Sequence, residues 1–477
     1  MNIRLYNARI LTMEKDRPVF RGEIWVRDER IRYIAEYGMG GAGQQGRGMG
    51  DDELRAGGQQ DYAAGIGRLN GDVLQGGMTE TAGNVMAGNN MGRQETWDLQ
   101  IDCKGNLLMP GFKNAHTHSA MTFLRSYADD MPLQSWLQEK VFPFEARLTK
   151  EDIYHLTRLA ILEYLTSGIT SVFDMYISPD AVGRACMDMG MRCVLTSGLN
   201  DFTSSIEQTE EEYLRWNQEN SLVSYRLGFH AEYTCSKELL ERVAGLADKY
   251  KAPVYTHLAE TKREVEECKA RYGLTPPMFL ERTGIFEHGG GGYHCVHMTD
   301  EDMDMFCRRR LYAVTNPASN MKLASGIAPA AELERRKIPV AIGTDGPASN
   351  NCLDMFREMF LVTGLSKLRE EDAASLDALK VLEMATVNGA GAMGLKNADV
   401  LAKGKLADLI MIDMNQPNMQ PVHNIPKNLV YSGSKANVSM TMINGKILYR
   451  NGEFNIGESV EDIYGRCREI VKHVIGG

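Results

Sequence analysis

His116-Thr117-His118 carries two imidazoles one residue apart, at the end of the apolar run Leu107-Leu108-Met109-Pro110-Gly111-Phe112-Lys113-Asn114-Ala115. On an extended strand, residues i and i+2 share a face, so both rings point to one side. Two neutral imidazoles so placed make half of a metal site. His257, in His257-Leu258-Ala259-Glu260, offers a third imidazole, and Asp345, in Gly343-Thr344-Asp345-Gly346, a carboxylate. Three imidazoles and one carboxylate without thiolate suit Zn²⁺, with Fe²⁺ or Mn²⁺ as the alternatives. Such an ion lowers the pKa of bound water to about 7, which describes a mononuclear metal hydrolase. Asp345 can then take a proton from the nucleophile. Glu260 can protonate a leaving group or a ring nitrogen, and His294 can steer the nucleophile or polarise the bond under attack.

Each piece also has a purely structural reading. An isolated His-x-His is common by chance, and a lone His such as His230 is usually a hydrogen-bonded core residue. Gly343-Thr344-Asp345-Gly346 alone suits a turn with an Asx cap. Glu260, just before a helix, suits a favourable first-turn charge. The conjunction, in chain order and at strand ends, favours the site. His155, His288, His297, His423 and His473 fall outside these motifs and read as structural or surface residues. His230-Ala231-Glu232 matches half of another zinc signature. No Pro-Cys-x-x-Cys follows it, so Glu232 reads as a loop residue.

The elements that must position these groups alternate. Candidate strands lie at 109–115, 170–173, 192–195, 226–230, 254–257, 293–296, 312–314 and 339–342, with helical patterns at 151–166, 237–250 and 299–309 between them. Eight strands alternating with helices predict an α/β fold, a (β/α)8 TIM-type barrel whose active site sits at the C-terminal strand ends. His116, His118, His230, His257, His294 and Asp345 all fall there. Short strands at both ends of the chain predict a second, small β-sandwich domain. The expected organisation is 1–109 for the N-terminal part of the sandwich, 110–395 for the barrel, and 396–477 for the C-terminal part with a final helix at 460–475. Within the first part, 38–93 is rich in Gly, Gln, Asn and Met and reads as a flexible insertion.

A chain of 477 residues can bury a large core. Its net charge of −10 disfavours a nucleic-acid partner or an anionic membrane surface, and no apolar stretch reaches spanning length. Nine scattered cysteines without a CxxC pair, behind an N-terminus that alternates like a strand, predict reduced thiols and a cytoplasmic protein. The expected partner is a small-molecule substrate. Homo-oligomer formation is common for such barrels, but no residue here demonstrates it.

The same residues resemble the amidohydrolase superfamily, and within it the methylthioadenosine/S-adenosylhomocysteine deaminases. The most specific stretches are Pro110-Gly111-Phe112-Lys113-Asn114-Ala115-His116-Thr117-His118, Tyr293-His294-Cys295-Val296-His297, Asn316-Pro317-Ala318-Ser319-Asn320-Met321-Lys322-Leu323 and Gly343-Thr344-Asp345-Gly346-Pro347-Ala348-Ser349-Asn350-Asn351. The resemblance implies hydrolytic deamination of an adenine ring at C6, with Glu260 as proton shuttle, Asp345 as base and His294 holding the nucleophile. It also implies that Glu145 binds ribose hydroxyls and that Trp136 and His230 line the substrate pocket.

The chain departs from that pattern where the family's homocysteine-accepting members carry an arginine. Ser197 stands there, and the following loop, Asn200-Asp201-Phe202-Thr203-Ser204-Ser205, has no arginine either. Uncharged tails, as in methylthioadenosine, 5′-deoxyadenosine or adenosine, are therefore favoured over S-adenosylhomocysteine. Thr315 replaces a family His, and Phe229 and Glu232 replace prolines. The alternatives are a deaminase or chlorohydrolase of another heterocycle (guanine, a pterin or an s-triazine), against which Glu145 argues, and a non-catalytic scaffold, which would be expected to lose the ligands.

Overall fold

The computed structural model describes residues 1–37, 96–219 and 221–476. The insertion expected at 38–93 lies outside the described residues. In chain order the strands are β1 (Asn2–Ile10), β2 (Phe20–Arg27), β3 (Arg30–Glu36), β4 (Leu99–Asp102), β5 (Leu107–Pro110), β6 (Phe112–Thr117), β7 (Ile169–Tyr176), β8 (Arg192–Ser197) and β9 (Val223–Tyr225). Then come β10 (Leu227–Ala231), β11 (Val254–Leu258), β12 (Gly290–His294), β13 (Tyr312–Thr315), β14 (Val340–Ile342), β15 (Leu409–Ile412), β16 (Val438–Ile443), β17 (Lys446–Arg450) and β18 (Glu453–Phe454).

Both ends of the chain build one mixed sheet, in the order β18-β17-β16-β15-β5-β1-β2-β3 with β4 on β1. The alternation read from the sequence sets its faces: Ile3, Leu5, Ile24, Val26, Leu409, Met411, Met440 and Met442 share one core. The chain leaves this sheet at Gly111, between β5 and β6. A Cβ there would lie 2.1 Å from the Thr170 side chain, so only glycine fits the crossing.

The central strands form two parallel sheets, β6-β7-β8-β9 and β10-β11-β12-β13-β14. Parallel strands need crossovers, and these run through the helices Lys150–Thr166, Pro179–Met189, Ile206–Glu219, Lys237–Tyr250, Lys262–Tyr272, Asp300–Arg309 and, between β13 and β14, Ala330–Arg335. Thr149, Ser236, Thr261 and Thr299 cap four of them by accepting a backbone N–H with the side chain. The two sheets share an interior: Ala115, Phe173 and Val194 from one pack with Tyr255, Tyr293, Val314 and Ala341 from the other. Backbone hydrogen bonds also cross between them. Arg226 and His230 donate to the carbonyls of Leu195 and Leu199, both at 2.9 Å, and Asp345 donates to that of His116 at 3.0 Å.

Several strands run differently from their sequence pattern. The stretch 109–115 divides at Gly111 into β5 and β6, on different sheets, and 226–230 becomes β10, Leu227–Ala231, with the short β9 added just before Arg226. The strand-like stretch 438–448 is a hairpin, β16 to β17, turning at Asn444-Gly445 with φ of 52° and 72°. Asn-Gly supplies that left-handed pair without strain. The final helix, Val460–Val474, matches its expected range closely.

Candidate metal centre and active site

His116 is the penultimate residue of β6 and His118 lies two residues on, just past its end, as strand alternation requires. His257 lies on β11, and Asp345 follows β14 after a two-residue turn. Their four ligand atoms all lie within 4.8 Å of one another. Asp345 Oδ1 is 3.5 Å from His116 Nε2 and 3.2 Å from His118 Nε2. Neither ring nitrogen of His116, which is fully buried, has a hydrogen-bond partner. An orphaned, buried imidazole beside a carboxylate and two more imidazoles fits a bound divalent cation, since such a ring is otherwise costly to bury.

The surroundings aim each ligand inward. His118 Nδ1 donates to the Met175 carbonyl at 2.5 Å, and His257 Nδ1 to the His230 carbonyl at 2.7 Å. Both bonds leave Nε2 bare and facing the centre. Asp345 Oδ2 accepts from Ser319 Oγ at 2.6 Å and from Ser349 Oγ at 2.8 Å, which leaves Oδ1 toward the imidazoles. Burial alone would raise the Asp345 carboxyl. The facing His116 and His118 rings reverse that and hold it well below the carboxylate range. Burial pushes His116 down to about 3. Tyr164, on the helix behind, has its hydroxyl 2.9 Å from both Thr117 Oγ1 and Ser119 Oγ, so the His-x-His segment is held on either side of His118.

Glu260 and His294 adjoin the centre. Glu260 Oε2 lies 3.8 Å from His294 Nε2, and both side chains are buried. The Glu260 carboxyl is raised by burial, which the nearby His294 opposes. Ser325 Oγ donates to Glu260 Oε1 at 3.2 Å, and His294 Nδ1 lies 2.7 Å from Asn320 Oδ1. Ala259, His294, Cys295 and Asp345 all have left-handed φ, between 49° and 71°. Such a cluster of non-glycine residues is a mark of functional loops held by their surroundings.

His230 lies beside these groups, its ring centroid 4.9 Å from that of His257. Burial first, then the charges of His118 and His294, pushes it down to about 4. Glu145 ends a helical stretch, 133–145, that is widened by a π turn at Leu137–Val141, a feature frequent near functional sites. Its carboxyl is pushed up to about 7 by desolvation, with the neighbouring Tyr176 hydroxyl and His118 opposing. Trp136, in the same stretch, is buried in the main core. Glu232 is not an open loop residue: it is buried and paired with Arg271 at 2.6 Å.

Sequence reasoning missed the supporting residues Glu264, Ser319, Ser349, Asn316, Asn320, Ser325 and Tyr164. Asn316, Ser319, Asn320 and Ser349 do stand in the stretches that carry the family resemblance, and Glu264 has a local signal of its own: Thr261-x-x-Glu264 has the spacing of a capping box, and both of its bonds are made.

The sequence signature of the amidohydrolase family covers residues 107–448. A 5-methylthioadenosine/S-adenosylhomocysteine deaminase of Desulfitobacterium hafniense is 42% identical over 384 residues, 80% of this chain and 88% of that protein. A 5′-deoxyadenosine deaminase of Methanothermobacter thermautotrophicus is 41% identical over 368 residues, 76% of this chain and 86% of that protein. The crystal structure of a zinc-bound adenosine deaminase from Xanthomonas campestris superposes with a TM-score of 0.83 at 28% identity, covering 100% of this chain and 98% of that one. Zinc-bound atrazine chlorohydrolase from Arthrobacter aurescens, at 20% identity and a TM-score of 0.79 over 98% of this chain and 100% of that one, shares the fold. The signature spans most of the chain and both parallel sheets, so this chain belongs to the amidohydrolase family.

Proposed function

We propose that the protein hydrolytically deaminates the adenine ring of adenosine-type nucleosides, releasing ammonia and the inosine analogue. The observation that carries this reading is the juxtaposition of the His116, His118, His257 and Asp345 group with the Glu260–His294 pair, 3.8 Å apart. Relatives at about 40% identity that are named as deaminases of adenine nucleosides support it.

The four ligands would hold one Zn²⁺, with Fe²⁺ or Mn²⁺ compatible with the same donors. When bound, the ion acidifies water into a nucleophile at neutral pH. Asp345 accepts the proton of the attacking water at Oδ1, because Oδ2 is occupied by two serine hydroxyls. Glu260, its carboxyl raised by burial, retains a proton closer to neutrality than a free carboxylate and delivers it to the ring nitrogen next to C6. The proton taken up by Asp345 then leaves with the amine as the C6–N bond breaks and ammonia forms, and Glu260 recovers a proton from the added hydroxyl as the C6 carbonyl forms. His294 Nε2 orients the attacking water, and His230 lines the pocket with Trp136. Glu145 accepts from the ribose hydroxyls. Adenosine, 5′-deoxyadenosine and methylthioadenosine fit this site; S-adenosylhomocysteine is disfavoured by Ser197.

The two parallel sheets, with their common interior and bridging hydrogen bonds, fit one closed (β/α)8 barrel over 110–395. The nine-stranded sheet built from 1–109 and 396–477 fits the smaller β-sandwich. Nine free cysteines suit the reducing cytoplasm. No helix among the described residues is long and apolar enough to cross a membrane. The partner is a small molecule, and the acidic net charge of −10 disfavours nucleic acid.

The test is ammonia release by the zinc-loaded protein with adenosine, 5′-deoxyadenosine, methylthioadenosine, S-adenosylhomocysteine, adenine, guanine and an s-triazine. Turnover of the nucleosides supports the proposal. Turnover confined to a free heterocycle overturns it, and with it the role of Glu145.

A further inference from the structure

Asn320 connects the two groups that handle protons beside the metal ligands. Its side-chain oxygen lies 2.7 Å from His294 Nδ1. Its backbone carbonyl accepts the N–H of Ser325 at 2.9 Å, and Ser325 Oγ donates to Glu260 Oε1 at 3.2 Å. Asn320, His294, Ser325 and Glu260 are all buried. A single residue thus meets His294 through its side chain and Glu260 through one intervening serine.

The geometry also selects a tautomer. Two carboxamides converge on His294 Nδ1: the Asn320 oxygen at 2.7 Å and the Asn316 nitrogen at 3.3 Å. An oxygen there requires a proton on Nδ1, whereas an amide nitrogen requires a lone pair. Both cannot be satisfied, and the shorter contact is the stronger hydrogen bond. Nδ1 therefore carries the proton, and Nε2, which faces Glu260, presents a lone pair. The fixation is also needed mechanically. His294 and Cys295 are consecutive left-handed residues, with φ of 71° and 49°, a conformation that lasts only where neighbours hold it.

We propose that Asn320 is a positioning residue that fixes His294 as the Nδ1–H tautomer and, through Ser325, sets the placement of Glu260. The proposal rests on the deaminase reading for the meaning of those two groups, but its structural content can be tested without turnover. The direct measurement is the ¹⁵N spectrum of the imidazoles in the metal-loaded wild-type protein, with His294 assigned by His294→Gln. A protonated Nδ1 and a bare Nε2 are expected; a protonated Nε2 in the wild type overturns the proposal.

The second measurement compares Asn320→Asp, which keeps the acceptor oxygen, with Asn320→Leu, which fills the same space without one. The expected result is a fall in kcat of about 10- to 100-fold in Asn320→Leu, the usual range for an orienting partner behind a site. Its KM should stay within a few-fold of wild type and His294 should lose its single tautomer, while Asn320→Asp retains the Nδ1 proton. A kcat loss in Asn320→Leu with the tautomer unchanged overturns the proposal, as does wild-type kcat with the tautomer lost. If Asn320→Leu does not fold, the wild-type spectrum decides alone. Absence of nucleoside turnover in the wild type would refute the deaminase reading and leave the spectrum to judge Asn320.

Discussion

The Glu264 carboxylate holds Glu260 by its backbone: one oxygen accepts the Ala259 N–H at 2.7 Å and the other the Glu260 N–H at 2.8 Å. Ala259 is left-handed, with φ of 50°, so the chain turns sharply between His257 and Glu260. Burial first, then the charge of Glu260, pushes the Glu264 carboxyl up to about 7. Glu264→Gln sets an amide N–H against one of these backbone N–H groups. It should lower kcat about 10-fold or more, and stability by about 1–3 kcal/mol for the unsatisfied donor. Metal content should be unchanged. Steady-state kinetics with bound-metal analysis checks this, and wild-type kcat would show that Glu260 is positioned by other contacts.

Asp345→Asn and His257→Ala should separate metal binding from proton transfer. His257→Ala removes one of the four converging ligands and should release most of the metal. Asp345→Asn keeps an oxygen near His116 and His118 but removes the proposed base. Its turnover should drop by about 10²–10⁴-fold with metal partly retained. Metal analysis alongside ammonia release tests both, and wild-type rates in either variant would falsify the site.

The site was legible where chemistry imposes residue type and spacing. His116, His118, His257, His294, Glu260 and Asp345 stand at strand ends because a parallel sheet with crossovers puts its loops there. What lay hidden is long-range. Ser319, in the short helix Pro317–Lys322, and Ser349, in the turn after Asp345, reach Asp345 from separate segments, and no local pattern records which hydroxyl will face a carboxylate. The strand bounds failed where packing overrode pattern. β12 is Gly290–His294 rather than 293–296, because the chain turns left-handed at His294 and Cys295. Its glycines hid it, yet they are required: a Cβ at Gly290 would lie 1.9 Å from the Val254 carbonyl oxygen. The joining of both chain ends into one sheet was legible only as a class of strands; the register Leu409↔Pro110 that joins them was not.

Arg192 and Asp408 should anchor that sheet to the parallel strands. Arg192, on β8, donates from Nε to Asp408 Oδ2 at 2.5 Å and from Nη2 to Oδ1 at 3.1 Å, and both residues are buried. Asp408→Asn leaves a buried guanidinium without its counter-charge and should destabilise the protein by about 3–5 kcal/mol. Burial would raise the Asp408 carboxyl, but Arg192 outweighs it and the group sits below its ordinary range. A depressed carboxyl stabilises above its unfolded pKa and loses that contribution as pH falls through the folded value. The gap between wild type and Asp408→Asn in urea melts should therefore be full at neutral pH and shrink toward the acid limb. A constant gap would remove ionisation from the explanation.

Lys113 predicts a slope of the same sign at high pH. It is fully buried on β6, donating to the Gly111 carbonyl at 2.9 Å and to Thr170 Oγ1 at 2.8 Å. Desolvation lowers its ammonium from 10.5 to about 8, against the attraction of Asp408. Between those two values the unfolded chain holds a proton that the folded one has released. Stability contributed by this group therefore rises with pH across that window, by up to about 3 kcal/mol. Lys113→Met should lack the rise, so wild type gains on it between pH 8 and pH 10.5 in denaturant melts. Parallel curves would show that Lys113 stays charged in the fold.

Substrate choice should be decided at the cavity lined by Tyr176, Ser197, Thr203, Gln208, Thr209 and Glu212. Tyr176 also neighbours Glu145, so a nucleoside held there by its ribose would direct its 5′ tail into this space. Among the described residues no lysine or arginine lines the cavity, and Glu212 brings a buried carboxyl, accepting from Gln208 at 3.1 Å and Tyr225 at 3.2 Å. A tail carboxylate would meet a like charge without a cation to answer it, and like-charge juxtaposition is an effective device for rejecting a ligand. Methylthioadenosine and 5′-deoxyadenosine should therefore exceed S-adenosylhomocysteine in kcat/KM by about 10-fold or more. Glu212→Gln should narrow the difference chiefly through KM for the charged substrate. Equal kcat/KM for all three in the wild type would mean that the tail does not enter this cavity.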